Sequence, residues 1–108
     1  MHAVFVTFRS AASLDELKDD YTAFAEMLRS QPPQGFISKT WLVDGSTIGG
    51  FYCFEDRATA DRYLDEILTA AVIENPGCSD VRIERYDIVE SFSAMTNGLH
   101  AAMSGATA

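Results

Sequence analysis

Two β-rich runs, Phe36 to Val43 and Ile48 to Glu55, flank Asp44-Gly45, a residue pair that tolerates positive φ and suits a tight turn. An antiparallel hairpin is therefore the most constrained part of the chain. Gly35-Phe36 opens its first strand, which carries the only Trp, Trp41, and Gly49-Gly50 leads the second into Phe51-Tyr52-Cys53-Phe54. A strand interior with two glycines is weak by itself, so the pair implies a bulge, a close backbone approach or space for a ligand.

The flanking segments decide what the hairpin joins. Ala3 to Arg9 is β-branched and aromatic and predicts a first strand. Ser13-Leu14-Asp15-Glu16 has capping-box spacing, and Leu14, Leu17, Tyr21, Phe24 and Leu28 then fall on one helical stripe that ends before Pro32-Pro33. After the hairpin, Asp56 is placed to cap a second helix whose apolar stripe is Ala60, Tyr63, Leu64, Ile67, Leu68 and Ala71, with Asn75-Pro76-Gly77 as its stop. Val81 to Val89 predicts a fourth strand. Its apolar positions change phase between Ile83 and Tyr86, which implies a bulge or burial on both faces.

The order strand, helix, strand, strand, helix, strand is the split βαβ arrangement: an α+β, ferredoxin-like βαββαβ unit with a four-stranded antiparallel sheet and both helices on one face. The other face is left uncovered. A chain of 108 residues accommodates one such domain, expected over residues 1–98 with a short helix near Ser91 to Thr96, and the small residues 99–108 form a C-terminal tail. A domain of this size leaves much apolar surface unburied, so a homodimer is the expected partner state.

Sixteen acidic against eight basic residues give a formal net charge of −8, which repels phosphates and anionic headgroups and argues against nucleic acid and membrane surfaces as partners. No apolar run reaches the roughly 20 residues that span a bilayer, and Met1 to Val6 lacks a basic region and a cleavage site, so the cytoplasm is the expected location. Cys53 and Cys78 have no close-spaced partner and predict neither a disulfide framework nor a metal site. His2 and His100, the only imidazoles, lie near the termini without ligand-spaced neighbours, so metal and haem ligation are not expected. Arg9 and Lys39 have the chemistry to hold an oxyanion, but without a placed partner each is expected at the solvated surface. No catalytic residue is identified.

Gly35-Phe36 before Trp41, Gly49-Gly50-Phe51-Tyr52-Cys53-Phe54 running into the second helix, and Tyr86-Asp87-Ile88-Val89-Glu90 together resemble the YdhR-type monooxygenase family over roughly residues 3 to 97. The resemblance implies the dimeric α+β barrel superfamily, in which two ferredoxin-like sheets pack face to face, with a ligand pocket between the sheet and helices of each subunit. It also implies cofactor-independent monooxygenase activity on a small aromatic or conjugated substrate, with molecular oxygen as co-substrate and neither metal nor flavin. Other branches of the superfamily degrade haem or only bind effectors, so non-catalytic binding or sensing of a small apolar molecule by a homodimer is the alternative.

Within that frame the expected substrate-binding residues are Trp41, Tyr52, Phe8, Phe54 and Gly50. The rings supply apolar walls, Trp41 and Tyr52 add a polar handle, and Gly50 leaves space. A packing role is the alternative for each. Strand alternation places Phe51 and Phe54 on opposite faces, so not every ring can reach one cavity. If Tyr52 and Phe54 face the helices, Phe51 and Cys53 face outward, and the face taken by Trp41 is left open.

Overall fold

The structure, a computed structural model, describes residues 1–97. The expected tail and His100 lie outside the described residues. Strands β1 (His2–Ser10), β2 (Phe36–Asp44), β3 (Thr47–Phe54) and β4 (Cys78–Asp87) form one sheet in the order β2-β3-β1-β4, with every neighbouring pair antiparallel. Helix α1 (Leu14–Ser30) follows β1, and α2 (Arg57–Tyr63) follows β3 and continues as a π-helical segment, Leu64–Ile73. A short helix α3 (Glu90–Met95) follows β4. This is the ferredoxin-like α+β fold.

The local signals act where the sequence places them. Ser13 caps α1, its hydroxyl accepting from the Glu16 amide at 3.2 Å while the Glu16 carboxylate accepts from the Ser13 amide at 3.1 Å. Asp56 caps α2 by accepting from the Thr59 amide at 2.8 Å. The hairpin pairs Asp44 with Thr47, so its two-residue loop is Gly45-Ser46 and not Asp44-Gly45. Gly45 supplies the positive φ at the first loop position, the arrangement that matches the twist of the strands.

Two irregularities in the ladders set which side chains meet the helices. In β2, Phe36 pairs with Phe54 and Ser38 with Cys53, so Ile37 is an extra residue, and beyond it Lys39 pairs with Tyr52 and Trp41 with Gly50. In β4, Arg82 pairs with Thr7 but Ser79 with Arg9, which leaves one extra residue near Asp80, whose φ is +50°. This bulge is at the start of the strand, and none falls between Ile83 and Tyr86, where one would account for the change of phase. Farther along, the alternation is regular: Ile83 and Arg85 pair with core-facing Val6 and Val4, and Tyr86 projects to the other side. The apparent change of phase reflects a helix-side row that turns polar, with Arg85 paired to Asp61 on α2.

The core lies between the sheet and the helices. Val4, Val6, Phe8, Ile48, Tyr52 and Phe54 project from the strands onto Leu28 of α1 and onto Ala60, Tyr63, Leu68 and Val72. With π-helical spacing after Tyr63, Leu68 stays in the buried stripe, Val72 takes the place expected for Ala71, which is exposed, and Leu64 and Ile67 are half-buried. On the opposite sheet face Phe5 and Phe51 meet edge to face with centroids 6.3 Å apart, and Phe51 remains 40% exposed.

Gly35 has φ +80°, and a Cβ there would come within 2.3 Å of the Thr59 side chain beside the α2 cap. Gly35→Ala combines left-handed strain of about 1–2 kcal/mol with that collision. Urea denaturation should report a loss of at least about 2 kcal/mol; a loss below about 0.5 kcal/mol would show that the turn relaxes without consequence.

Candidate functional site

The helix side of the sheet is not filled to the end. A cavity of about 390 Å³ opens between the C-terminal half of β1, the centres of β2 and β3, helix α1 and the π-helical segment. Val6, Phe8, Ile48 and Gly50 form its floor, Tyr21 and Phe24 one wall, and Tyr63, Leu68 and Val72 the other, with Lys39, Trp41 and Tyr52 at the β2 side. Its lining is chiefly aromatic and aliphatic, as in sites that take small organic ligands.

The bulge at Ile37 decides what β2 contributes. Regular alternation from core-facing Phe36 would carry Ser38 and Thr40 onto the helix side; the extra residue instead brings Lys39 and Trp41 there. Trp41 packs against α1, its ring centroid 5.3 Å from Tyr21 and 6.2 Å from Phe24. Lys39, two residues earlier on the same face, lays its ammonium over the Trp41 ring at 3.4 Å from the centroid, with the rings of Tyr52 at 4.8 Å and Phe24 at 5.1 Å.

Gly50 lets Lys39 lie there. A Cβ at position 50 would stand 2.7 Å from Lys39 Cε and 3.1 Å from the Tyr52 ring. Gly49 serves the backbone, since a Cβ there would come within 2.1 Å of the Val6 carbonyl oxygen.

Of the residues expected to bind a substrate, Trp41, Tyr52, Phe8 and Gly50 line the cavity. Phe54 does not. It is 0% exposed and sits behind the wall, packed on Tyr52 at 6.2 Å and Tyr63 at 5.3 Å, because its pairing with Phe36 and His2 places it at the far end of the sheet. Arg9 is exposed. Lys39 departs from the surface position expected for it and belongs to the cavity wall.

Three groups shape the electrostatics. Tyr52 is 3% exposed and Tyr63 2% exposed. Dehydration raises both phenols, Tyr63 to about 12 and Tyr52 above its ordinary value, so each is a neutral donor at physiological pH. The Tyr63 hydroxyl is buried with no hydrogen-bond partner within 3.5 Å among the described residues, the Tyr52 phenol being its polar neighbour. Lys39 has no carboxylate in ion-pair range among them either. Ring faces attract the ammonium form, but dehydration disfavours it and brings the pKa down to about 7.

His2 stands at the other end of β1. It is 2% exposed, with Nδ1 3.0 Å from Asp87 Oδ1, and its Nε2 accepts from Arg85 Nε at 3.2 Å, so Nδ1 carries the proton. This ties the ends of β1 and β4 to α2 through Arg85 and Asp61. Among the described residues no cluster of three or more His, Cys, Asp or Glu groups is arranged to hold a metal ion, and no helix is long and apolar enough to cross a membrane.

The sequence model of the family described as "Putative mono-oxygenase ydhR" matches residues 4–99. The chain belongs to this family. None of the curated proteins matches it. Among solved structures, this ydhR-family chain is similar to a protein of unknown function from Nitrosomonas europaea, NE2512, at 25% identity, covering 82% of this chain and 88% of that one with a TM-score of 0.62. It also matches SnoaB, described as a cofactor-independent oxygenase from Streptomyces nogalater, at 18% identity, with coverage of 82% and 93% and a TM-score of 0.57. The haem degrader MhuD of Mycobacterium tuberculosis, solved with two haems in its active site, matches at 13% identity, 82% and 96% coverage and a TM-score of 0.54. At such identities SnoaB and MhuD are evidence of the shared fold.

Lys39 gives the folded ydhR-family domain a measurable signature. Its folded pKa is lowered, so between about 7 and the ordinary lysine value the unfolded chain binds the extra proton, and stability rises with pH across that window. Lys39→Met should flatten that rise and raise stability at pH 6, read from urea midpoints at pH 6 and pH 9. An unchanged pH slope in the variant would place the ammonium in solvent.

Proposed function

We propose that the protein is a cofactor-independent monooxygenase acting on a small aromatic or conjugated substrate held in the cavity between the sheet and the helices. The observation that carries this reading is an apolar cavity of about 390 Å³, walled by Trp41 and Tyr52, in a chain of the ydhR family. SnoaB, of the same fold, is described as an oxygenase that needs no cofactor.

In this reading the protein supplies orientation and water exclusion, and the substrate supplies the electrons. A conjugated molecule that loses a proton can delocalise the resulting charge and pass an electron to molecular oxygen, while the rings of Trp41, Tyr21 and Phe24 hold its plane. Trp41, Tyr52, Phe8 and Gly50 are the binding residues we assign, and no metal or flavin takes part.

Substrate-dependent oxygen uptake tests the activity directly. Purified protein treated with chelator and free of flavin should consume oxygen with at least one member of a panel of phenols, anthrones and quinols. Gly50→Val, which fills the floor beside Lys39, should raise KM about tenfold or more while the protein stays folded. No uptake across the panel, together with a small molecule released unchanged on denaturation, would replace catalysis with binding or sensing.

The same reading assigns the uncovered sheet face to a second copy of the chain, with Phe5, Phe51 and Leu42 at the contact. Sedimentation at micromolar concentration should give a dimer, and Phe51→Glu should shift it toward monomer. A wild-type monomer under those conditions would leave the open face without the proposed occupant.

A further inference from the structure

The cavity contains two polar features that an apolar ligand would leave unsatisfied. Lys39 Nζ lies over three aromatic rings with no carboxylate in ion-pair range among the described residues, and the Tyr63 hydroxyl is buried without a partner. Both stand against the Tyr52 ring, Nζ 4.8 Å from its centroid and the Tyr63 ring centroid 5.1 Å from it. The Tyr63 hydroxyl, buried without a partner, costs stability, and Lys39, half-buried against the rings, gives up part of its hydration, so a site that retains both favours a ligand whose polar atom answers them.

The two groups specify that atom. Both Lys39 ammonium and Tyr63 hydroxyl are donors, which calls for an acceptor oxygen, best one carrying negative charge. The surrounding rings and aliphatic floor call for a flat apolar body attached to it.

We propose that Lys39 is the proton acceptor and anion anchor of this cavity, and that its substrate class is a small aromatic or conjugated molecule bearing an acidic hydroxyl, a phenol or an enol. This rests on the cavity being the substrate site. The neutral Lys39 amine takes the hydroxyl proton: the substrate O–H bond breaks, an N–H bond forms, and the resulting oxyanion stays beside the ammonium with Tyr63 as a further donor. The freed electron pair enters the conjugated system, where the oxygen chemistry needs it.

Other titratable groups share this setting. Asp20 and Tyr21 of α1, Tyr52 of β3, Tyr63 of α2 and Cys78 of β4 line the cavity. Arg29 of α1 borders a smaller, 260 Å³ hollow on the far side of the Lys39 and Trp41 side chains, where its guanidinium is paired to Glu26. The two buried tyrosines stay protonated through the neutral range, burial raises Tyr21 and Cys78 as well, Asp20 is exposed and Arg29 is already paired. Lys39 is therefore the group whose charge can change with the ligand.

The probe is para-nitrophenol, whose absorbance reports its own ionisation, compared with para-nitroanisole, which has the same ring and no acidic proton. Bound to wild-type protein, the phenol should ionise at a pH lowered by about one unit or more relative to free solution. Lys39→Met should abolish that shift while changing nitroanisole affinity by less than about twofold, and Lys39→Arg, which keeps the charge, should retain phenolate binding.

An unshifted or raised ionisation of the bound phenol overturns the proposal, as does a shift that survives in Lys39→Met. The wild-type titration decides the matter even if the methionine variant does not fold. If nitroanisole binds and the phenol shows no shift, the Lys39 assignment fails and the aromatic site stands. If neither probe binds, both fall.

Discussion

The register of β2 against β3 is the constraint on which the candidate site depends. One extra residue, Ile37, separates the pair Phe36–Phe54 from the pair Lys39–Tyr52, and it lets a single strand give Phe36 to the solid core and Lys39 and Trp41 to the cavity. A sheet with one buried face specifies register strongly, because a slip of one residue exchanges every side chain between core and solvent. Here the exchange is confined to the start of an edge strand. The fold is retained, and a cation comes to lie inside an aromatic wall.

The same economy appears across the cavity. After Tyr63 the second helix widens to π-helical spacing, with Thr69 Oγ1 donating to the Leu64 carbonyl five residues back at 2.9 Å. Val72 thereby joins Leu68 and Ala71 on the cavity wall, while Ile67 stays off it. A hollow of this size forfeits dispersion contacts, and the unpartnered Tyr63 hydroxyl and dehydrated Lys39 add to the cost. Stability is recovered at the Tyr52, Phe54 and Tyr63 stack behind the cavity wall, at the two capped helix starts, and in the His2, Asp87, Arg85 and Asp61 network. This division between a packed end and an open end is what a binding site in a small domain requires.

Most of the fold was legible in the sequence because its signals are local. Ser13 with Glu16, Asp56 with Thr59 and Gly45 in the hairpin each act within a few residues, while the alternation around Tyr52 separated Phe51 from Phe54 and left open which of the two faces meets the helices. Trp41, Tyr52, Phe8 and Gly50 were named for the cavity on the grounds of ring chemistry and missing volume. Phe54 was not separable from them, since its place behind the wall depends on where along the sheet the hollow begins. Lys39 was misread for the complementary reason. A charged residue on a strand is ordinarily solvated, and its burial follows from a bulge that leaves no clear mark in Phe36-Ile37-Ser38-Lys39. One signal was present: Lys39 is two residues before Trp41, so any strand that turns the Trp inward turns the Lys with it.

The acidity of the chain bears on how such a site fills. A net charge of −8 disfavours the approach of anions, while the cavity's two unanswered donors favour an anion once inside. A ligand that arrived already ionised would meet the first effect before gaining from the second. One carrying an acidic hydroxyl arrives neutral, partitions into the aromatic cavity on its apolar surface, and acquires its charge only by transferring a proton to Lys39. The internal proton transfer leaves the protein–ligand complex with the same total charge, so the acidic surface does not oppose it through net charge. What changes is local: a neutral amine and a neutral phenol or enol become an ion pair in a setting of low dielectric, where its two members attract each other far more strongly than in water. An acidic exterior and a single cation within an aromatic interior thus select together for molecules that become anionic only after they bind.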